Sequence, residues 1–169
     1  KHIKNKKEVG DLLLSKGADI FATNTENNSP LRIALTNEGD IQDWLITSQT
    51  LNTTDGSGNT PLHYAAEWKL DNAVISLIQK GANVNAINSN GESALFSAVK
   101  ADSPSIISIL VENGIITDTR SNLTRDYLGN TPLHSAVRWN ALNAAQSIIS
   151  LGFDVNAQNL SGKTALSDT

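Results

Sequence analysis

Apolar residues in this chain come in short clusters at helical spacing, separated by polar turns. Ala73, Val74, Leu77 and Ile78 share one helical face, as do Ile106, Ile107, Leu110 and Val111, and Ala144, Ala145, Ile148 and Ile149. Each cluster closes on a glycine (Gly81, Gly114, Gly152), the residue that ends helices in a left-handed turn. Val9, Leu13 and Leu14 followed by Gly17 form an earlier copy, predicting a helix over 8–16 behind a solvated basic start at 1–7. Ahead of each later cluster lies a second, narrower stripe such as Leu62, Ala65 and Ala66, so the helices are expected in pairs. Asp71 or Asn72 can open the second helix of one pair, and Ser103 followed by Pro104 that of the next.

The narrow stripes carry a motif. Asp55-Gly-Ser-Gly-Asn-Thr-Pro-Leu-His-Tyr-Ala-Ala66 returns as Asp126-Tyr-Leu-Gly-Asn-Thr-Pro-Leu-His-Ser-Ala136. Looser copies begin at Asn24, Asn88 and Asn159. Indexed on Pro30, Pro61, Ala94, Pro132 and Ala165, the copies are spaced by 31, 33, 38 and 33 residues. A trailing Gly-Ala-Asn-Val-Asn-Ala, in full at Gly81 and varied at Gly17 and Gly152, runs in phase. The chain is therefore read as an internal repeat, each unit a turn plus two helices that cannot bury its apolar faces alone. The divisions expected are 1–23 (partial), 24–54, 55–87, 88–125, 126–158 and 159–169 (partial), forming one array. The first and last units lack their halves, so a piece of a longer array is expected. The 24–54 unit diverges most: Ile41, Leu45 and Ile46 carry its second helix, Trp44 is read as core, and Arg32 stands where other copies have His. The 88–125 unit has a longer finger, with five extra residues within 117–126.

A period of 33 with Thr-Pro-Leu-His-x-Ala and a trailing Gly-Ala-Asp-Val-Asn-Ala resembles the ankyrin repeat. The resemblance runs from about Val9 to the end. It implies an all-α solenoid of stacked helix-turn-helix units with β-hairpin-like finger loops and first helices lining a concave face.

The 169 residues carry a formal net charge of -4, which argues against nucleic acid as partner. No apolar run is long enough for membrane insertion. The absence of cysteine removes thiol chemistry and Cys-based metal sites. We expect a cytoplasmic location, with export left open.

His63 and His134 recur at one motif position, 71 residues apart, and no acidic, His or Cys cluster completes a metal or catalytic site around either. The resemblance implies that they hydrogen-bond between neighbouring turns. Gly56-Ser-Gly58 is too short for a phosphate loop, and no nucleophile triad can be assembled. No cofactor is expected, and no catalysis.

With the motif residues assigned to turns and caps, the variable slots remain. Ankyrin-like proteins use these slots for contact. They place Ser57, Asn59, Glu67 and Trp68, then Asn90, Glu92 and Lys100, then Tyr127, Leu128, Asn130, Arg138 and Trp139 on the fingers and concave face. Trp68 and Trp139 occupy equivalent slots, seven residues after Pro61 and Pro132. Each could anchor an interface or pack along its neighbouring repeat. The expected function is a non-catalytic module that binds another protein. The alternative is a regulatory or targeting segment of a longer enzyme or effector.

Overall fold

Thr-Pro opens a helix because proline at the first helical position has a preset φ and no N–H to leave unpaired. In a computed structural model, which describes residues 2–26, 28–36, 45–115 and 124–168 (side chains of 2–7 and 168 aside), Pro61 and Pro132 start helices in this way. Among the described residues there are eight α-helices and no extended strand: α1 (His2–Ser15), α2 (Pro30–Thr36), α3 (Pro61–Glu67), α4 (Asp71–Gln79), α5 (Ala94–Lys100), α6 (Pro104–Glu112), α7 (Pro132–Arg138) and α8 (Leu142–Ser150). A 3-10 turn follows at Ala165–Asp168. Ile41, Trp44 and residues 117–123 of the long finger lie outside the described residues.

The chain divides into two compact units, residues 1–53 and 54–169. In the first, Ile20, Leu31, Ala34, Leu35, Leu45, Ile46 and Leu51 are buried, and the N–H of Leu31 donates to the carbonyl of Ile20 at 3.0 Å. Helix α1 begins at His2, earlier than the apolar spacing suggests, since lysine is a good helix former. Of the face that the spacing predicts, Val9, Leu13 and Leu14, only Leu14 is half-buried. Val9, Leu12 and Leu13 are 55%, 58% and 55% exposed. Spacing fixes which residues share a face, not what covers that face.

In the second unit the helices stack in two layers. Helices α3, α5, α7 and the 3-10 turn pack successively as first helices, and α4, α6 and α8 as second helices; each first helix also packs on the second helix of its own pair. Leu62, Leu95 and Leu133 repeat at one buried position, and Leu77, Leu110 and Ile148 at another. Burying each such side chain contributes about 1.5–3 kcal/mol. The alanines Ala65, Ala66, Ala98 and Ala136 are also buried and let the first helices approach. Of the second-helix stripes Ala73, Val74, Leu77, Ile106, Ile107, Leu110, Ala144 and Ile148 are buried, Ile78, Val111 and Ala145 half-buried, and Ile149 exposed.

Between the two helices of each pair the chain turns through a left-handed residue, Lys69 (φ 57°), Asp102 (φ 50°) or Asn140 (φ 52°). Asp102 puts its position to further use. Its Oδ1 accepts the N–H of Ala144 at 2.7 Å and its Oδ2 accepts Nδ2 of Asn143 at 2.7 Å. The carboxylate thus caps α8, whose own N-cap, Ala141, has no side chain to do so. The Ala144 N–H holds the Asp102 carboxyl below its ordinary range, outweighing the opposing effect of burial, with Asn143 assisting.

Candidate functional site

The fingers are built by one repeated device. An Asp or Asn carboxyl or amide oxygen accepts two backbone N–H groups ahead of it. Asp55 Oδ1 takes those of Ser57 (2.9 Å) and Asn59 (2.8 Å), Asn88 Oδ1 those of Asn90 and Glu92, and Asp126 Oδ1 those of Leu128 and Asn130. Isolated antiparallel bridges join Ile87 to Ser93 and Gln158 to Thr164, giving these fingers a hairpin-like base. The Tyr64 hydroxyl donates to Asp55 Oδ2 at 2.6 Å. Burial, then this carboxylate, pushes the Tyr64 phenol up to about 12. Burial alone would raise the Asp55 carboxyl, but the Tyr64 hydroxyl and the Asn59 and Ser57 donors outweigh it and lower the pKa.

Successive fingers are zipped through their backbones. The N–H of Ser89 donates to the Ser57 carbonyl (2.9 Å), Tyr127 to Asn90 (2.8 Å) and Leu160 to Leu128 (3.1 Å). This approach leaves room only for glycine at the finger turn. A Cβ on Gly58 (φ +79°) would lie 2.9 Å from the Ser89 nitrogen, and one on Gly129 (φ +75°) 2.8 Å from that of Leu160. Side-chain amides add rungs, with Asn88 Nδ2 donating to Asn59 Oδ1 (2.9 Å) and Asn159 Nδ2 to Asn130 Oδ1 (2.8 Å).

Both recurring histidines are buried and committed to this framework. Nδ1 of His63 accepts the Thr60 N–H (3.1 Å), and Nε2 faces the Glu92 carbonyl (3.0 Å). His134 makes the same pair of contacts with Thr131 and with the Lys163 carbonyl. Since Nδ1 accepts, Nε2 carries the proton, and the ring is neutral. Phe96 stands at the same slot in the intervening copy and is buried without any such polar reach.

Between the fingers and the first helices lies a groove of about 370 Å³. Ser57, Asn59, Glu67, Asn90, Glu92, Lys100, Arg138 and Trp139 line it, all of them slot residues marked by the sequence. Phe96 and Ser135 contribute from its floor, together with Asn88 and Ser97. Glu67 Oε1 and Lys100 Nζ pair at 3.1 Å, and the same ammonium lies 5.2 Å from the centroid of the Trp139 ring. Glu92 Oε2 accepts the side-chain amides of Asn88 (3.3 Å) and Asn90 (3.4 Å).

Four slot residues are not brought into the groove. Asn130 is buried, 1% exposed, with its amide spent on Asp126 and Asn159. Tyr127 and Leu128 stand on the finger tips, each 63% exposed. Trp68 is half-buried with its ring 5.0 Å from that of Tyr64, whereas Trp139 is 53% exposed. The equivalent slot differs because Tyr64 precedes Trp68 by one helical turn and Ser135 precedes Trp139. A second groove, of about 430 Å³ between α6 and α8, is lined by Pro104, Ser108, Gln146 and similar residues, with no ionisable or aromatic group.

The family described as ankyrin repeats (3 copies) matches residues 2–88 and 72–159. The chain belongs to the ankyrin-repeat family. Ankyrin repeats generally mediate protein–protein interaction and are typically non-catalytic. This ankyrin array is 33% identical over 127 residues to neurogenic locus notch homolog protein 1 of Homo sapiens, covering 75% of this chain and 5% of that protein. The Xenopus laevis protein of the same name is 34% identical over 119 residues, 70% of this chain and 5% of its own length. Potassium channel AKT2/3 of Arabidopsis thaliana is 25% identical over 162 residues, 94% of this chain and 19% of the channel. The array thus spans a small part of the relatives it matches. Among its described residues no helix is long and apolar enough to cross a membrane.

Phe96 and Ser135 were not among the slots marked from sequence. They belong to the motif that builds the first helix, and only the stacking of α5 against α7 turns them toward the groove floor.

Proposed function

We propose that this ankyrin array binds another protein in the groove between its fingers and first helices, with Trp139, Lys100 and Arg138 at the centre of contact and Tyr127 and Leu128 as apolar finger tips. The observation that carries this reading is convergence. Slot residues separated by up to 82 positions, Ser57 to Trp139, line one groove, and an exposed tryptophan beside charged groups is among them. Tryptophan and arginine dominate the energetics of protein interfaces. The histidines, by contrast, are occupied by structural hydrogen bonds, which leaves them without a chemical task.

Paired capture from an extract of the source cells tests this, with the parent chain and Trp139→Ala as baits and circular dichroism and melting recorded for both. A protein retained by the parent and lost by the folded variant is expected. Equal retention by both would remove the groove from the account.

A second reading has support from the relatives. Their matching repeats make up 5% of each notch protein and 19% of the potassium channel. On this reading the array is a regulatory or targeting segment of a longer protein whose catalytic part lies elsewhere. Full-length transcript sequencing tests it: an open frame running on into a further domain is expected, and stop signals bracketing these residues would defeat it.

A further inference from the structure

We infer that the segment bound in the groove carries a side-chain carboxylate that pairs with Arg138, beside an apolar side chain that lies on Trp139. This rests on the groove being the binding site. Most of the charged groups in the groove already have partners. Glu67 and Lys100 neutralise each other at 3.1 Å. Glu92 spends Oε2 on two side-chain amides. The Arg138 guanidinium, exposed on the last turn of α7, makes no hydrogen bond or ion pair among the described residues. Glu92 keeps its charge, so what distinguishes Arg138 is that it is the one cation lining the groove without an acidic partner among the described residues, although the chain as a whole carries -4. A single guanidinium in acidic surroundings is a local feature rather than part of a basic surface.

A guanidinium offers two parallel N–H donors that fit a carboxylate. Trp139, the next residue, is 53% exposed, with the Lys100 ammonium 5.2 Å from its ring centroid, and its indole offers apolar surface beside the guanidinium. Asn90 and Ser57 on the facing fingers can hydrogen-bond an extended backbone. A partner with a cation at this point would meet Arg138 unscreened, a repulsive arrangement that selects against it.

The test is a random-peptide display library panned against the full 169-residue chain. Enriched peptides are synthesised and their affinities measured against the parent, Arg138→Gln, Arg138→Glu and Trp139→Ala, each shown to melt like the parent. The expected peptides share an Asp or Glu next to an aliphatic or aromatic residue. Changing that acid to its amide, or Arg138→Gln, weakens binding by about ten- to a hundredfold, and making both changes costs little more than one. Arg138→Glu recovers binding to the peptide with lysine in place of its acid. Peptides that need Trp139 but ignore Arg138 would overturn the carboxylate inference and leave the groove standing. Peptides that respond to neither residue would overturn both. Enrichment of basic peptides, or of nothing, would also overturn the carboxylate assignment.

Discussion

Nε2 of His63 donates to the carbonyl oxygen of Glu92, 29 residues ahead, at 3.0 Å. A residue that sits in the first turn of one helix thereby holds the base of the next finger, while Nδ1 of the same ring accepts from Thr60 and closes its own helix start. One side chain couples two repeats, and His134 does the same with Lys163. Phe96 shows that a phenyl ring fits this slot, so His63→Phe should keep the packing and delete only the polar link. We predict a loss of about 1–3 kcal/mol, read as a lower melting temperature and denaturation midpoint. An unchanged midpoint would mean that the bond contributes nothing net.

The same histidine sets a pH dependence. Burial holds its pKa below the ordinary 6.5, partly opposed by the Glu92 carbonyl. Protonation would place a hydrogen on Nδ1 against the Thr60 N–H. The unfolded chain therefore binds the proton more readily than the folded one. Stability attributable to His63 is full above about 6.5 and declines as pH falls from there through the folded-state pKa. Denaturant titrations at several pH values should show this decline in the parent and a shallower one in His63→Phe. Identical slopes would contradict the assignment.

Gly58 and Gly162 both adopt positive φ, +79° and +73°, but only Gly58 is approached by a following finger. Gly162→Ala should cost roughly 1 kcal/mol, the penalty of a side chain in the left-handed region. Gly58→Ala should cost that and about 1–3 kcal/mol more, because the Ser89 backbone must move. Thermal melts of the two variants make the comparison, and equal losses would show that the close approach carries no energetic weight.

Lys69 holds a left-handed conformation at φ 57° without a polar side chain suited to it. Lys69→Gly should raise stability by about 0.5–1 kcal/mol. Asp102→Gly, at the equivalent turn, should lower it, since the carboxylate that caps α8 is lost with it. Chemical denaturation of both reads out the two signs. A gain for Asp102→Gly would mean that its cap matters less than its backbone strain.

The motif and the second-helix stripes made the paired helices and the glycine stops legible in the sequence. They rest on local chemistry: proline at the start, a 3.6-residue period, glycine at the end. What escaped depends on contacts between repeats. Asn130 reads as a variable contact slot, yet the register of the next finger brings Asn159 onto it and buries it. Asp102 drew no reading from sequence, since its role appears only when α8 arrives 42 positions later. Trp68 and Trp139 look alike until the residue one turn earlier is compared, tyrosine in one case and serine in the other. Lys69 gave no signal, because lysine has no preference for the conformation it occupies.

A partner protein seated in the groove should be reachable from the groove's own lining. Site-specific photocrosslinking measures this directly, with a benzophenone amino acid at Asn90, on the groove's finger side, and in a second chain at Gln146, in the groove between the second helices. The account predicts a crosslinked partner from position 90, abolished by Trp139→Ala, and none from position 146. Crosslinks from position 146 alone, or from position 90 with no response to Trp139→Ala, would contradict it.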